Sequence, residues 1–324
     1  MSEQVAAAEG RLEHFPVSFF AMVMGLAGLT LGLHKLDEAL GLGTLPGTIG
    51  LIVTIAAFVV IGAFYLVKLI RHPKAVAWEW NHPVRIAFFP TISISILLIA
   101  TASLSVWPQI AAPLWWVGIV LQLVLLLAVI SAWIGHRKFE TPHMNPAWFI
   151  PAVGNILVPI VGTSIGQGDI SWFFFAVGLI FWIVLLTLVF NRLIFHSPLP
   201  ERLAPTLMIL IAPPAVGFLS YLRLNAGTVD GFARILYFGG VFFTLILLTQ
   251  VGKLAKLPFM LSWWAYSFPL AALTVSTFTY GAATKVPAYQ TAGYVVFAVL
   301  ALVILMLLVR TAKAVMAGEI CKPE

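Results

Sequence analysis

Prolines recur at four places inside otherwise apolar stretches of this chain: Pro90 in FFPTISIS, Pro151 in FIPAVGNILVP, the pair Pro213 and Pro214 in LIAPPAVGF, and Pro269 in YSFPLAAL. The intervals are 61, 62 and 56 residues. Hydroxyls and amides cluster beside them, among them Thr91, Ser93 and Ser95, Asn155 and Thr163, Ser220, and Ser267, Thr274, Ser276, Thr277 and Thr279. The chemistry open to such a set is solvation, not bond making. A proline leaves the carbonyl four residues before it without its usual donor and bends the helix. Carbonyl and hydroxyl dipoles, together with helix ends, then stabilise a small ion without any charged side chain.

Groups that make or break bonds are not assembled. The seven histidines, His14, His34, His72, His82, His136, His143 and His196, fall at the ends of apolar runs or between them, with no HExxH pair. Cys321 is the single cysteine, which excludes an internal disulfide, a cysteine metal cluster and an iron–sulfur site. Neither a phosphate loop nor a GxSxG elbow occurs, and Gly41-Leu42-Gly43 reads as a turn after the first apolar run. No acidic or basic residue stands in the middle of an apolar run, so a proton relay or a voltage-sensing arginine ladder has no members here. The expectation is a protein that is not an enzyme, with no catalytic residues, no metal and no cofactor. A neutral path suits small anions, because a cation path calls for acidic rings or a carbonyl filter.

The elements that must carry these residues are membrane helices. At 324 residues the chain is 61% hydrophobic and 9% charged, with mean hydropathy +1.03, against roughly 25% charged in soluble domains. A window of about 19 residues gives ten candidate spans: 16–36, 48–70, 84–106, 113–136, 146–166, 170–195, 203–223, 231–252, 259–281 and 288–311. Fourteen Lys and Arg residues then fall on the side of the N-terminus: Arg11, Lys68, Arg71, Lys74, Arg85, Arg137, Lys138, Arg192, Arg202, Lys253, Lys256, Arg310, Lys313 and Lys322. Lys35, Arg223, Arg234 and Lys285 fall on the other. That asymmetry places both termini in the cytoplasm and accounts for the net charge of +6 as topology, not nucleic-acid binding. Tryptophans near segment ends, such as Trp107, Trp115, Trp116, Trp172 and Trp264, suit the lipid–water interface. Glu3, Glu9 and Glu13 against a single Arg11 before the first apolar run leave no expectation of a cleaved signal peptide.

The prolines lie in the third, fifth, seventh and ninth spans, so the repeating unit is a pair of helices. The first span departs from the pattern, with Gly25, Gly28 and Gly32 in place of an interior proline. Kinked helices need neighbours to satisfy their freed carbonyls, which puts the odd spans inside. The even ones, such as LQLVLLLAVISAWI and VVFAVLALVILMLLV, form an outer ring against the bilayer. The expected fold is all-α: five such pairs, with five kinked inner helices around a central pore. It makes one membrane domain over 1–324, with 1–14 a cytoplasmic segment, 15–312 the ten-helix domain and 313–324 a cytoplasmic tail. The competing reading is that prolines and small residues merely permit close packing.

At the ninth span the sequence Trp263-Trp264-Ala265-Tyr266-Ser267-Phe268-Pro269 resembles the corresponding stretch of the plant guard-cell slow anion channels. NHPVRIAFFP (81–90) and MNPAWFIPAVGN (144–155) resemble the openings of the third and fifth helices in the bacterial tellurite-resistance and dicarboxylate transporter family. FPVSFFAMVMGLAGL (15–29) is similar to that family's first helix, although members can carry proline or cysteine where Val23 stands. The resemblance spans about residues 14–312. It implies a homotrimer of ten-helix protomers in a bacterial inner membrane, each protomer with its own pore for chloride or nitrate. It also implies that Phe268 plugs the pore. On a helix its face includes Ala265, Ala272, Val275 and Thr279, mostly small, and these are the expected pore-lining positions. Pro90, Pro151, Pro213, Pro214 and Pro269 are expected to shape the pore, and Arg85 and Arg202 to draw anions to its cytoplasmic mouth. The long tails of the plant proteins are missing, which leaves kinase gating without support. Two other functions compete: a proton-coupled or exporting carrier for dicarboxylate, sulfite or tellurite, and an accessory subunit that conducts nothing.

Overall fold

The computed structural model describes residues 10–135 and 139–322; Glu3, Glu9, His136, Arg137 and Lys138 lie outside the described residues. Thirteen α-helices and no strand occur among those described. They are α1 (Phe20–Leu40), α2 (Leu45–Arg71), α3 (Pro73–Asn81), α4 (Thr91–Ser103), α5 (Pro108–Ile134), α6 (Phe149–Val153) and α7 (Val158–Gly162). Then follow α8 (Gly168–Phe195), α9 (Ala212–Leu224), α10 (Gly231–Leu248), α11 (Val251–Leu254), α12 (Ser267–Thr284) and α13 (Pro287–Met316). Prolines open several of them, as Pro73, Pro108 and Pro287 do, at a position where the missing N–H has no helical partner in any case. Asp230 caps α10 by accepting from the Ala233 amide at 2.9 Å.

Nine segments among the described residues are long and apolar enough to cross a membrane, so this is a multi-pass membrane protein. α12 is long enough but less apolar, since seven of its residues are Ser, Thr or Tyr. Burial divides the segments into two kinds. In Val17–Leu40, Arg85–Ser103, Pro146–Ile165 and Ala204–Leu224, between 61% and 89% of the central window is buried. In α2, α5, α8, α10 and α13 that share is between 22% and 33%. The well-buried segments and α12 touch in sequence: α1 packs on α4, α4 on α7, α7 on α9, α9 on α12, and α12 back on α1. Each also packs on its less buried successor, as α1 on α2 and α12 on α13.

The prolines lie differently from a bend inside a continuous helix. Pro90 is the N-cap of α4, Pro213 and Pro214 stand in the first turn of α9, and Pro269 stands in the first turn of α12. A 3-10 stretch precedes each: Arg85–Phe88, Ala204–Ile211 and Leu261–Tyr266. The tighter turn takes up carbonyls that proline would orphan. Ile86 accepts from the Phe89 amide and Ile209 from Ala212, each three residues on. The segment 146–165 is instead broken in its middle, where Gly154–Leu157 is 3-10 between α6 and α7. Such a mid-helix stretch marks a hinge or a point of strain.

Two further expectations change. Window averaging misses α3, nine residues lying between the spans. The tryptophans also divide: Trp116 and Trp172 are exposed, but Trp115 and Trp264 are interior. Trp115 Nε1 donates to the Val158 carbonyl at 2.9 Å and Trp264 Nε1 to Thr311 Oγ1 at 3.0 Å. These two pin one helix to another, because a buried indole needs an acceptor.

Candidate functional site: a cavity lined by Phe268

The end of the molecule where His14 and Lys322 stand opens into a cavity of about 480 Å³. Both residues are in its wall, and Gly318 lies so close to Arg11 that a Cβ there would meet the guanidinium at 2.6 Å. Farther in, the wall is apolar, built from Met24, Ile94, Val153, Leu157 and Val216 on four segments, and it includes Phe268.

Close packing positions the Phe268 ring. Its helix α12 lies against α1, and two glycines of α1 make that approach possible. A Cβ on Gly28 would stand 2.5 Å from the Ala271 Cβ and 3.7 Å from Phe268 Cδ2, and one on Gly25 would collide with Ser267. Backbone approach of this kind is what glycine permits. Along 265–280, the half-buried residues are Ala265, Phe268, Val275 and Thr279, while Ala272 is 4% exposed and the rest are buried. Accessible surface therefore follows one helical stripe. Thr279 Oγ1 on that stripe, and Ser262 Oγ in the cavity wall, have no hydrogen-bond partner.

Most other hydroxyls of the inner segments are engaged with backbone carbonyls. Ser95, Thr101 and Thr274 each donate to the carbonyl four residues back on their own helix, at 2.7–2.8 Å. Ser267 donates to Trp264, and Ser220 to the Ile156 carbonyl. Hydroxyls in helices commonly bond back in this way, so the walls are more apolar than the hydroxyl count suggests.

Of the proline positions, Pro213 and Pro269 line the cavity, whereas Pro90 is buried outside its lining and Pro214 packs toward Gly239. The Pro151 carbonyl accepts from Gln122 Nε2 at 2.9 Å. Both Arg85 and Arg202 line the mouth. Arg202 is exposed. Arg85 is tied into a buried charge cluster that sequence reasoning missed. Its Nη1 lies 3.1 Å from Glu79 Oε1, its guanidinium sits over Trp78, and Glu79 Oε2 meets Lys68 Nζ at 2.8 Å. The Lys68 and Glu79 side chains are each 1% exposed. Tyr65 donates to the same carboxylate, and so does the Val17 amide at the start of the first span. The one signal in the sequence is Glu79 itself, a lone acid in a stretch otherwise holding Lys68, Arg71, Lys74 and Arg85. The described residues contain no cluster of His, Cys, Asp and Glu suited to a metal.

The voltage-dependent anion channel family matches residues 14–312. The S-type anion channel SLAH3 of Arabidopsis thaliana is 29% identical over 93% of this chain and 48% of its own length, so the chain spans about half of that plant relative. A tellurite resistance protein TehA homolog of Haemophilus influenzae is 30% identical over 81% of this chain and 80% of its own. An uncharacterized transporter of Methanocaldococcus jannaschii, MJ0576, is 28% identical over 98% and 99%.

Proposed function

This chain belongs to the voltage-dependent anion channel family, and we propose that it is a gated passive channel for small monovalent anions such as chloride and nitrate, occluded by Phe268. The observation that carries the reading is a cavity with largely apolar walls whose lining includes the half-buried ring of Phe268 and the adjacent Pro269, with no acidic or basic side chain in mid-span. A ring in a narrow apolar neck excludes water and so raises the barrier to a hydrated ion. A rotamer change removes that barrier without other rearrangement. In this reading α12 is a tenth span, and the closed succession of contacts through α1, α4, α7, α9 and α12 surrounds the path. Ala265 lines the vestibule beside the ring, and Ala272, Val275 and Thr279 continue the path beyond it. Arg202 and the partly neutralised Arg85 concentrate anions at the mouth. The asymmetry of fourteen basic residues against four supports a cytoplasmic vestibule in a bacterial inner membrane, and the protomers assemble as a homotrimer.

Flux in proteoliposomes tests this, comparing wild type with Phe268→Ala under a chloride or nitrate gradient with pH varied independently. The expected result is a rise of at least about tenfold, equivalent to ~1.4 kcal/mol of barrier, reversing at the anion equilibrium potential and indifferent to a proton gradient. The name of the Haemophilus influenzae relative favours a second reading, a carrier for tellurite or a similar anion. Flux that follows the proton gradient would establish that reading instead, and a mutant no better than empty liposomes would leave only an accessory role. Mass measurement in detergent checks the trimer.

A further inference from the structure

Gln122 is the one amide in the run LQLVLLLAV of α5, a helix whose central window is only 33% buried, yet Gln122 itself is 0% exposed. Its side chain points inward and joins three segments. Oε1 accepts from Ser93 Oγ on α4 at 2.7 Å, and Nε2 donates to the Pro151 carbonyl on α6 at 2.9 Å. The carbonyl can only accept, so the orientation of the amide is fixed by its partners. The single Ser93 proton also has the Pro90 carbonyl 2.9 Å away as an alternative acceptor, so the amide meets α4 at its first turn. The amide reaches this far in because residue 154 is glycine. A Cβ on Gly154 would stand 2.9 Å from Gln122 Nε2 and 2.7 Å from Ile94 Cδ1.

The contact falls where the helix of the segment 146–165 is interrupted. Pro151 and Gly154 flank the passage from α6 into the 3-10 stretch Gly154–Leu157, and Pro159 denies the Asn155 carbonyl its helical donor. Asn155 holds the break from within, donating to Pro151 at 3.2 Å and to Ala152 at 2.6 Å, with its own Oδ1 unpartnered. Gln122 holds it from outside. An unpaired amide in this environment would be costly, so the side chain and the bend fix each other. Val153, Gly154 and Leu157, on either side of the bend, line the vestibule wall together with Ile94.

We propose that Gln122 is a positioning residue for the conduction path: through Ser93 and the Pro151 carbonyl it sets the bend at Gly154–Leu157 and so places Val153 and Leu157 in the wall. The inference rests on the channel reading for its functional meaning, but its test does not need conduction. In full-length protein with Cys321→Ser, single Val153→Cys or Leu157→Cys changes report the wall by their rate of reaction with a small charged thiol reagent. Gln122→Met keeps the side-chain volume and removes both hydrogen bonds. It is expected to shift the ratio of the two rates by at least about tenfold, and in a Phe268→Ala background to change the nitrate-to-chloride permeability ratio. Gln122→Glu, whose neutral form keeps an acceptor and a donor, is expected to restore both. Where Gln122→Met fails to reach the membrane, Ser93→Ala cuts one arm of the same contact and is read in the same way. Unchanged thiol rates overturn the proposal whatever the flux. Shifted thiol rates with no anion flux in any variant uphold the positioning role and overturn the channel reading.

Discussion

α12 and α13 are neighbours in sequence and pack on each other, yet they are built to opposite rules. α13 runs unbroken for 30 residues, with Leu302, Leu305 and Val309 exposed and 22% of its central window buried. α12 follows a 3-10 stretch, carries Pro269 in its first turn and buries 12 of its 18 residues. By hydropathy α13 is among the clearest of spans, whereas α12 has the length of a span without the apolarity. Apolarity therefore marks the outer face of the bundle, not depth inside the molecule. A helix enclosed by protein is free to carry hydroxyls and a proline, because neighbours satisfy what lipid cannot.

The strongest test of this division lies where an outer helix breaks it. Lys68 stands in the last turn of α2, an outer helix, but is buried against Glu79. Removing one partner of a buried pair leaves the other uncompensated and costs about 3–5 kcal/mol. Glu79→Gln is therefore expected to lower the thermal midpoint in detergent more than a glycine or aromatic change in either kind of helix, since it also strips Tyr65 and Val17 of a charged acceptor. Glycines sharpen the division at a smaller scale. Gly28→Ala forces a methyl against Ala271 on the inner helix, an overpacking worth about 1–3 kcal/mol. Gly62→Ala on outer α2 meets nothing within 4 Å and is expected to stabilise by about 0.5–1 kcal/mol through helix propensity. Equal effects at the two sites would erase the distinction. Aromatic truncation separates the two kinds of helix by function. If Phe268 occludes a path, Phe268→Ala is expected to raise flux at least about tenfold, ~1.4 kcal/mol of barrier, whereas Phe242→Ala on outer α10, 59% exposed, is expected to leave it unchanged.

How far the sequence discloses all this depends on range. Periodic prolines and apolar runs are local, and they are enough to separate buried segments from exposed ones. The 3-10 stretches before Pro90, Pro213 and Pro269 are not legible, because they depend on which carbonyls neighbours satisfy. Gln122 is hidden for a different reason. A single amide in LQLVLLLAV looks the same whether it faces lipid or protein, and only the rotation of α5 against Ser93 and Gly154 decides. The Lys68–Glu79–Arg85 cluster joins residues 11 and 6 apart across a short helix that a long window averages away. Gly25 and Gly28 stand out in the sequence as a departure from the proline pattern, but their use as seats for Ser267 and Phe268 follows only once the partner helix is known.

The smallest expected effect concerns the thiol at the mouth. Cys321 lines the vestibule and is half-buried. Burial pushes its thiol pKa up, with Lys68 and Arg11 pulling weakly the other way. Thiolate is the reactive form, and a raised pKa means less of it at any pH below that value. A charged, water-soluble thiol reagent is therefore expected to modify Cys321 more slowly at pH 7 than it modifies an unstructured cysteine peptide. The rate should climb with pH beyond the point where the peptide's rate has levelled off. A cysteine introduced by Leu305→Cys on α13 has a different barrier. Position 305 faces outward, where lipid keeps the charged reagent away, and raising the pH cannot help. Cys321 should thus show a rate set by ionisation and Leu305→Cys a rate near zero at every pH in intact liposomes. A pH-independent rate at Cys321 would mean that access, not ionisation, limits the reaction, and that the mouth is more closed than its lining residues indicate.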